Sequence, residues 1–202
     1  MDTYLTTRPE WAYFDHAKPG LERAKTARSA SWVPILARLV AAADSLTIVA
    51  AMPAEAVAEL GAPRKVETRL SIDGDTLNVA ITLRDKPANR MPEASFVNFT
   101  PRGAGQWQLL KMGLWHGAGD VVPRGGAQLQ SVFGARASVP GGAVEIAPLD
   151  TPLVGPADTP FMEFQKQPPA FDHGIRFNLH NNKWGTNFPM WWGDDFTARF
   201  VL

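Results

Sequence analysis

Two adjacent runs in the chain, VETRLSI and TLNVAITL, alternate apolar and polar residues with period two. Val66, Thr68, Leu70 and Ile72 share one face of the first run, and Leu77, Val79, Ile81 and Leu83 share one face of the second. Alternation of this kind is the mark of half-buried strands, because successive side chains of a strand point to opposite sides. Asp73-Gly74-Asp75 lies between the runs and predicts a hairpin. Shorter runs at 95–99, 106–112, 128–133, 143–146, 161–164, 174–179 and 196–202 are bounded by Gly, Pro, Asn or Asp and predict further strands. Nine or more short strands with no long helices between them predict antiparallel sheets packed face to face.

The amino-terminal part follows another pattern. In SWVPILARLVAAADS, Ser31 is placed to cap, Pro34 to sit in a first turn, and Ile35, Leu36, Leu39, Val40 and Ala43 to form one stripe at helical spacing. The spacing predicts a helix packed against a sheet. A short apolar segment follows over 45–53. PAEAVAELG then predicts one or two helical turns opened by Pro53 and closed by Gly61. Residues 21–28 read as a short polar helix or strap. The expected organisation is an amino-terminal extension and helical lead-in over 1–62 and a β-sandwich domain over 63–202, in a mainly β fold.

Composition narrows the chemistry. The 202 residues suffice for a domain with its own core. There is no cysteine, so disulfides, zinc-thiolate sites, iron-sulfur ligation and cysteine nucleophiles are excluded. Twenty basic residues balance 20 acidic ones, leaving no long-range attraction toward nucleic acid. No apolar run has the roughly 20 residues that span a bilayer. The acidic, aromatic start MDTYLTTRPEWAYFDH lacks the basic and then apolar pattern of a secretion signal, so a soluble cytoplasmic protein is expected. Neither nucleic acid nor membrane is an expected partner.

Motifs for common chemistries are missing. Gly117-Ala118-Gly119 lacks the third glycine and the following helix of a dinucleotide loop, and there is no GxxxxGK[ST]. The four histidines, His16, His116, His173 and His180, form no HExxH or HxH pattern. There is no GxSxG elbow. No cofactor, metal ligand or catalytic residue is expected from spacing.

The distinctive stretch is GIRFNLHNNKWGTNFPMWWGDDFTARFVL. It sets an alternating strand, an Asn-rich turn and then several large aromatics among Gly and Pro before a closing strand. Aromatic faces flanked by amides and carboxylates suit a sugar ring, which stacks its C–H face and needs hydrogen bonds for its hydroxyls. The candidate carbohydrate contacts are therefore Trp184, Trp191, Trp192, Asn182, Asn187, His180 and Asp194. The same residues also suit the rim of a sandwich, with asparagines satisfying turn backbone.

The stretch from His180 to Trp191, with WGTNFP at its centre, resembles the carboxyl-terminal end of proteins related to glycoside hydrolase family 38, the alpha-mannosidase family, and in particular its bacterial relatives. GGAVEIAPLDTPLV at 141–154 is similar to the same proteins. The resemblance implies an antiparallel β-sandwich of the galactose-mutarotase-like type. In such hydrolases it follows a catalytic barrel that holds the metal and the nucleophilic aspartate. Those barrel motifs are absent from this chain, so the resemblance transfers no metal ligand and no nucleophile. It implies a non-catalytic domain or subunit that supports glycoside hydrolysis, with a separate catalytic barrel polypeptide as partner. A carbohydrate-binding module, and an independent mutarotase- or lyase-like sugar enzyme using His116, His173 or His180 as base, are the alternatives.

Overall fold

The computed structural model describes residues 2–3, 30–89, 93–122, 129–158, 170–182 and 191–202. The helix expected at 21–28 and the strand expected at 161–164 lie outside these residues. Among them, the strands are β1 (Asp2–Thr3), β2 (Ala30–Ser31), β3 (Ile35–Ala41), β4 (Ser45–Ala51), β5 (Lys65–Asp73), β6 (Thr76–Arg84), β7 (Glu93–Phe99) and β8 (Trp107–Lys111). They continue with β9 (Leu114–Gly117), β10 (Gln130–Ser131), β11 (Gly134–Val139), β12 (Gly142–Pro148), β13 (Leu153–Pro156), β14 (Ile175–Asn181) and β15 (Phe196–Val201). One helix, α1 (Ala54–Leu60), follows β4. The fold is mainly β, with antiparallel strand pairs such as β1–β2, β11–β12, β8–β11, β13–β14, β3–β4 and β4–β5, and the hairpin expected over 66–83 is present as β5 and β6.

The chain divides into two compact units, one comprising Met1–Ser71, Ala80–Ser95 and His180–Thr197, the other Ile72–Val79, Phe96–Leu179 and Ala198–Leu202. In the first unit β3, β4 and β5 are neighbours in one sheet, and α1 seals its end. Pro53 opens the helix, Gly61 closes it at φ 69°, and the Ala62 N–H donates to the Ala56 carbonyl. Met52, Ala56 and Ala62 form a small buried cluster against Trp32, Val57 and Val66.

The helix expected from Ser31 onward is not formed: β3 stands in its place. Opposite β4, Leu36 pairs with Ala50, Arg38 with Val49 and Leu39 with Ile48, so Ala37 is an extra residue in a β-bulge. The bulge moves Leu39 to the face it would otherwise leave. Leu36 and Leu39, three residues apart, therefore share a side, and this reproduces the spacing that reads as a helical stripe. Register through β4 and β5 extends that side: Leu36, Leu39, Leu46, Ile48, Val66 and Leu70 lie on one face, and Arg38, Thr47, Lys65, Glu67 and Arg69 on the other.

The second unit is a sandwich. Strand neighbours β10, β13, β14 and β7 form one sheet, and β15, β12, β11, β8 and β9 belong to another. Phe99 and Phe177 from the first sheet meet Phe200 from the second, with ring centroids 5.1–5.8 Å apart and tilted or edge-on faces. That is the geometry aromatic quadrupoles favour, and it fixes how the inner faces interlock. Leu109, Ile146, Val154 and Ile175 complete the buried core. Gly174 is required where the chain enters β14, because at φ 100° an added Cβ would lie 2.6 Å from the Phe99 carbonyl oxygen.

Strands β8 and β9 form a hairpin that the sequence reading did not anticipate. Its two loop residues, Met112 and Gly113, have φ of 51° and 84°, the pattern of the primed turns that match strand twist. Methionine carries a left-handed penalty there that asparagine largely avoids. Met112 is almost fully exposed, so its side chain contributes little packing. The substitution Met112→Asn is expected to stabilise the protein by about 0.5–1 kcal/mol, measured as a higher urea midpoint with an unchanged slope.

Candidate functional site

Within the first unit, three short segments converge on a buried polar cluster. The loop after β6 supplies Lys86, the first residue of β7 is Glu93, and the end of β14 supplies His180 and Asn182. Lys86 Nζ lies 2.5 Å from Glu93 Oε1, and both side chains are essentially without solvent contact. The ammonium also donates to the Pro87 carbonyl at 2.7 Å. Removing two charges from water costs several kcal/mol each, and only mutual pairing with further hydrogen bonds makes it tolerable.

Asn182 supplies much of that framework. Its backbone N–H donates to the Glu93 carbonyl at 3.0 Å, its Oδ1 accepts from the Glu93 N–H at 2.7 Å, and its Nδ2 donates to the Asn89 carbonyl at 2.8 Å. Asn89 in turn donates to the Leu60 carbonyl at the end of α1, at 2.6 Å. The cluster thus holds the loop, the helix end and two strand ends together.

His180 is half-buried as a residue, but its Nε2 is buried. Burial, reinforced by the positive charge of Lys86, lowers its pKa from 6.5 to about 4. The imidazole is therefore neutral at physiological pH.

A second feature of this unit is the turn before β15. Trp192 is 43% exposed and packs edge-on against Phe196, centroids 6.0 Å apart. Gly193 passes so close to the loop after β6 that a Cβ would fall 2.5 Å from the Ala88 nitrogen. The Asp194 N–H donates to the Lys86 carbonyl, and Asp194 Oδ1 accepts from the Asp195 N–H, both at 2.8 Å. Asp195 accepts from Arg84 at 2.6 Å and from the Asp85 N–H at 2.9 Å, and Arg84 also donates to Glu67 at 2.9 Å. The hydrogen bond from Arg84 holds the Asp195 carboxyl below its usual range. Beside this loop, Met52, Ala54, Val57, Ala58, Arg64, Asp85 and Pro87 line a shallow cleft of about 510 Å³.

The second unit has an open cleft of about 580 Å³ walled largely by Gly and Ala, with Trp107, Asp120, Phe171 and Asp172 among its lining. Asp120 accepts from the Gly117 N–H at 3.0 Å. Gln130 bridges Lys111 and the Ala118 carbonyl, and burial lowers the Lys111 pKa. Asp158 and His173 pair on the exposed surface.

The sequence-derived candidates thus separate. His180 and Asn182 belong to the buried cluster, Trp192 and Asp194 to the exposed turn, and Trp191 is half-buried before it. Trp184 and Asn187 lie outside the described residues. Lys86 and Glu93 were missed: KP in a polar loop and PE before a strand carry no local sign of burial. No group of three or more His, Asp or Glu side chains placed to hold a metal ion occurs among the described residues. Nor is any described helix long and apolar enough to cross a membrane.

The geometry so far defines a mainly β protein with a sandwich unit and a charged cluster that is structural in its bonding. Among solved structures, the chain is similar to a putative aldose 1-epimerase from Escherichia coli, at 15% identity and a TM-score of 0.41, over 85% of this chain and 67% of that one. No family model and no curated protein matches the chain.

Breaking the ion pair from one side should be worse than removing it. Lys86→Met is expected to cost about 3–5 kcal/mol by stranding Glu93, with much of the loss recovered in Lys86→Met/Glu93→Leu; chemical denaturation of the single and double variants measures this. His180 has its own pH signature. Its folded pKa lies below the unfolded value, so the unfolded chain takes up the proton first. Stability is full above about pH 6.5 and falls toward about pH 4, by on the order of 3 kcal/mol for this group. His180→Gln is expected to flatten that slope in denaturation curves recorded across the window.

Proposed function

We propose that the chain is a non-catalytic β-sandwich domain or subunit of a glycoside hydrolase family 38-like protein, of galactose-mutarotase-like type, with residues 63–202 as the sandwich. In this reading a separate barrel polypeptide carries out glycoside hydrolysis. The observation that carries it is the use to which the residues with most chemical potential are put. Asn182 spends both its backbone N–H and its side chain on Glu93 and Asn89, and His180 is a neutral, desolvated ring beside Lys86. Both work as framework. The WGTNFP neighbourhood supports the family.

The test is an assay of the purified chain on aryl mannosides, alone and with a barrel protein encoded in an adjacent reading frame. No turnover alone and hydrolysis with the barrel partner is the expected result. Turnover by the isolated chain above a heat-denatured control would overturn the proposal.

A carbohydrate-binding role is the second reading, favoured by the exposed face of Trp192 beside the Asp194 turn. Saturable quenching of tryptophan fluorescence by mannosides, abolished in Trp192→Ala, is its expected signature. A flat titration with the folded wild-type chain would end it.

A further inference from the structure

Three segments of the second unit meet at its open cleft: 104–107 lead into β8, 117–120 end β9, and 170–172 precede β14. Backbone hydrogen bonds pin each of them. The Gly105 N–H donates to the Ser138 carbonyl at 2.8 Å, the Ala118 N–H to the Trp107 carbonyl at 2.9 Å, and the Gly174 N–H to the Phe171 carbonyl at 3.1 Å. At about 580 Å³ the cleft has the volume of a small-molecule site.

Donors and acceptors both occur along its wall. Trp107 is only 3% exposed, and its buried Nε1–H has no hydrogen-bond partner. An orphan donor bears the cost of its lost water, and such groups are rare enough in folded proteins to call for a reason. The amide of Gln106, the preceding residue, makes no hydrogen bond among the described residues. Facing the same space, Asp172 carries a carboxylate with no hydrogen bond or ion pair among the described residues, and Asp120 commits only Oδ2, to the Gly117 N–H. Phe171 adds an apolar wall. This combination selects the ligand. A cation offers nothing for the indole and amide N–H groups to donate to, and an anion would meet two carboxylates. A hydroxyl both donates and accepts, so several hydroxyls on one ring answer both kinds of group at once.

We infer that this cleft is a saccharide site, in which hydroxyls of a neutral sugar accept from the Trp107 N–H and donate to Asp120 and Asp172. The inference goes beyond the role proposed above, since it needs neither a barrel partner nor the exposed face of Trp192.

The indole N–H resonances of the nitrogen-15-labelled full chain supply the readout, because each tryptophan gives one. The signal missing from Trp107→Phe identifies Trp107, and the one missing from Trp192→Phe identifies Trp192. Methyl α-mannoside, methyl α-glucoside and maltose are titrated in turn. The expected result is a saturable downfield shift of the Trp107 signal with at least one of the three. Asp172→Ala removes no bond that the fold uses, and is expected to keep the spectrum of a folded chain while weakening that sugar's binding by about tenfold or more. A Trp107 signal that none of the sugars moves would overturn the inference, and so would undiminished binding by Asp172→Ala. A shift confined to Trp192 would overturn it too while supporting the second reading above, which keeps the two apart. Putrescine is the cationic control: a Trp107 shift with putrescine and with none of the sugars would assign the cleft to a cation and end the proposal.

Discussion

A charge taken out of water must be answered where it lies, and the first unit is organised around that requirement. Lys86 and Glu93 are both buried, so neither strand end nor loop can shift without leaving a bare ion in low dielectric. The bonds from Asn182 and Asn89 follow from this: the backbone that carries the charges has to be held as tightly as the charges themselves. The close passage of Gly193 and the Asp194 bond to the Lys86 carbonyl extend the same restraint to the turn that presents Trp192. An exposed aromatic side chain is thereby mounted on a rigid base. The desolvated His180, neutral at physiological pH, adds no further charge beside the pair.

The second unit relies on shape. Phe99, Phe177 and Phe200 interlock across two sheets, and around them the core is Leu, Ile and Val in alternating positions. Its cleft owes its space largely to glycine and alanine, so open room and tight turning come from the same residues.

The strand β6 was legible because Val79, Ile81 and Leu83 on one side face a core and the residues between them do not; β5 shows the same alternation in sequence, but none of its residues is buried and Ile72 is exposed. The helix at Ala54–Leu60 was legible from its punctuation, Pro53 and Gly61. The region of β3 was not, since periodicity assumes one residue per step of the ladder and the Ala37 bulge breaks that assumption. A spacing of three then mimics a helix. The β8–β9 hairpin was hidden because methionine is not a turn residue, though Gly113 beside it was the available sign. The candidate site was legible only in part. Asparagines and tryptophans announce themselves by type, whereas the burial of Lys86 and Glu93 depends on segments far apart in sequence, which no local pattern encodes.

The bulge carries one more consequence. Removing Ala37 would leave Leu36 opposite Ala50 and Arg38 opposite Val49, so the two halves of β3 would keep their sides and the strand would become regular. An alignment would record a single gap. The sheet would lose a local kink while the leucine side and the side that carries Glu67 and Arg69 stayed as they are. The residue that disguises the strand as a helix in the sequence is thus the one the ladder can shed without turning any side chain over.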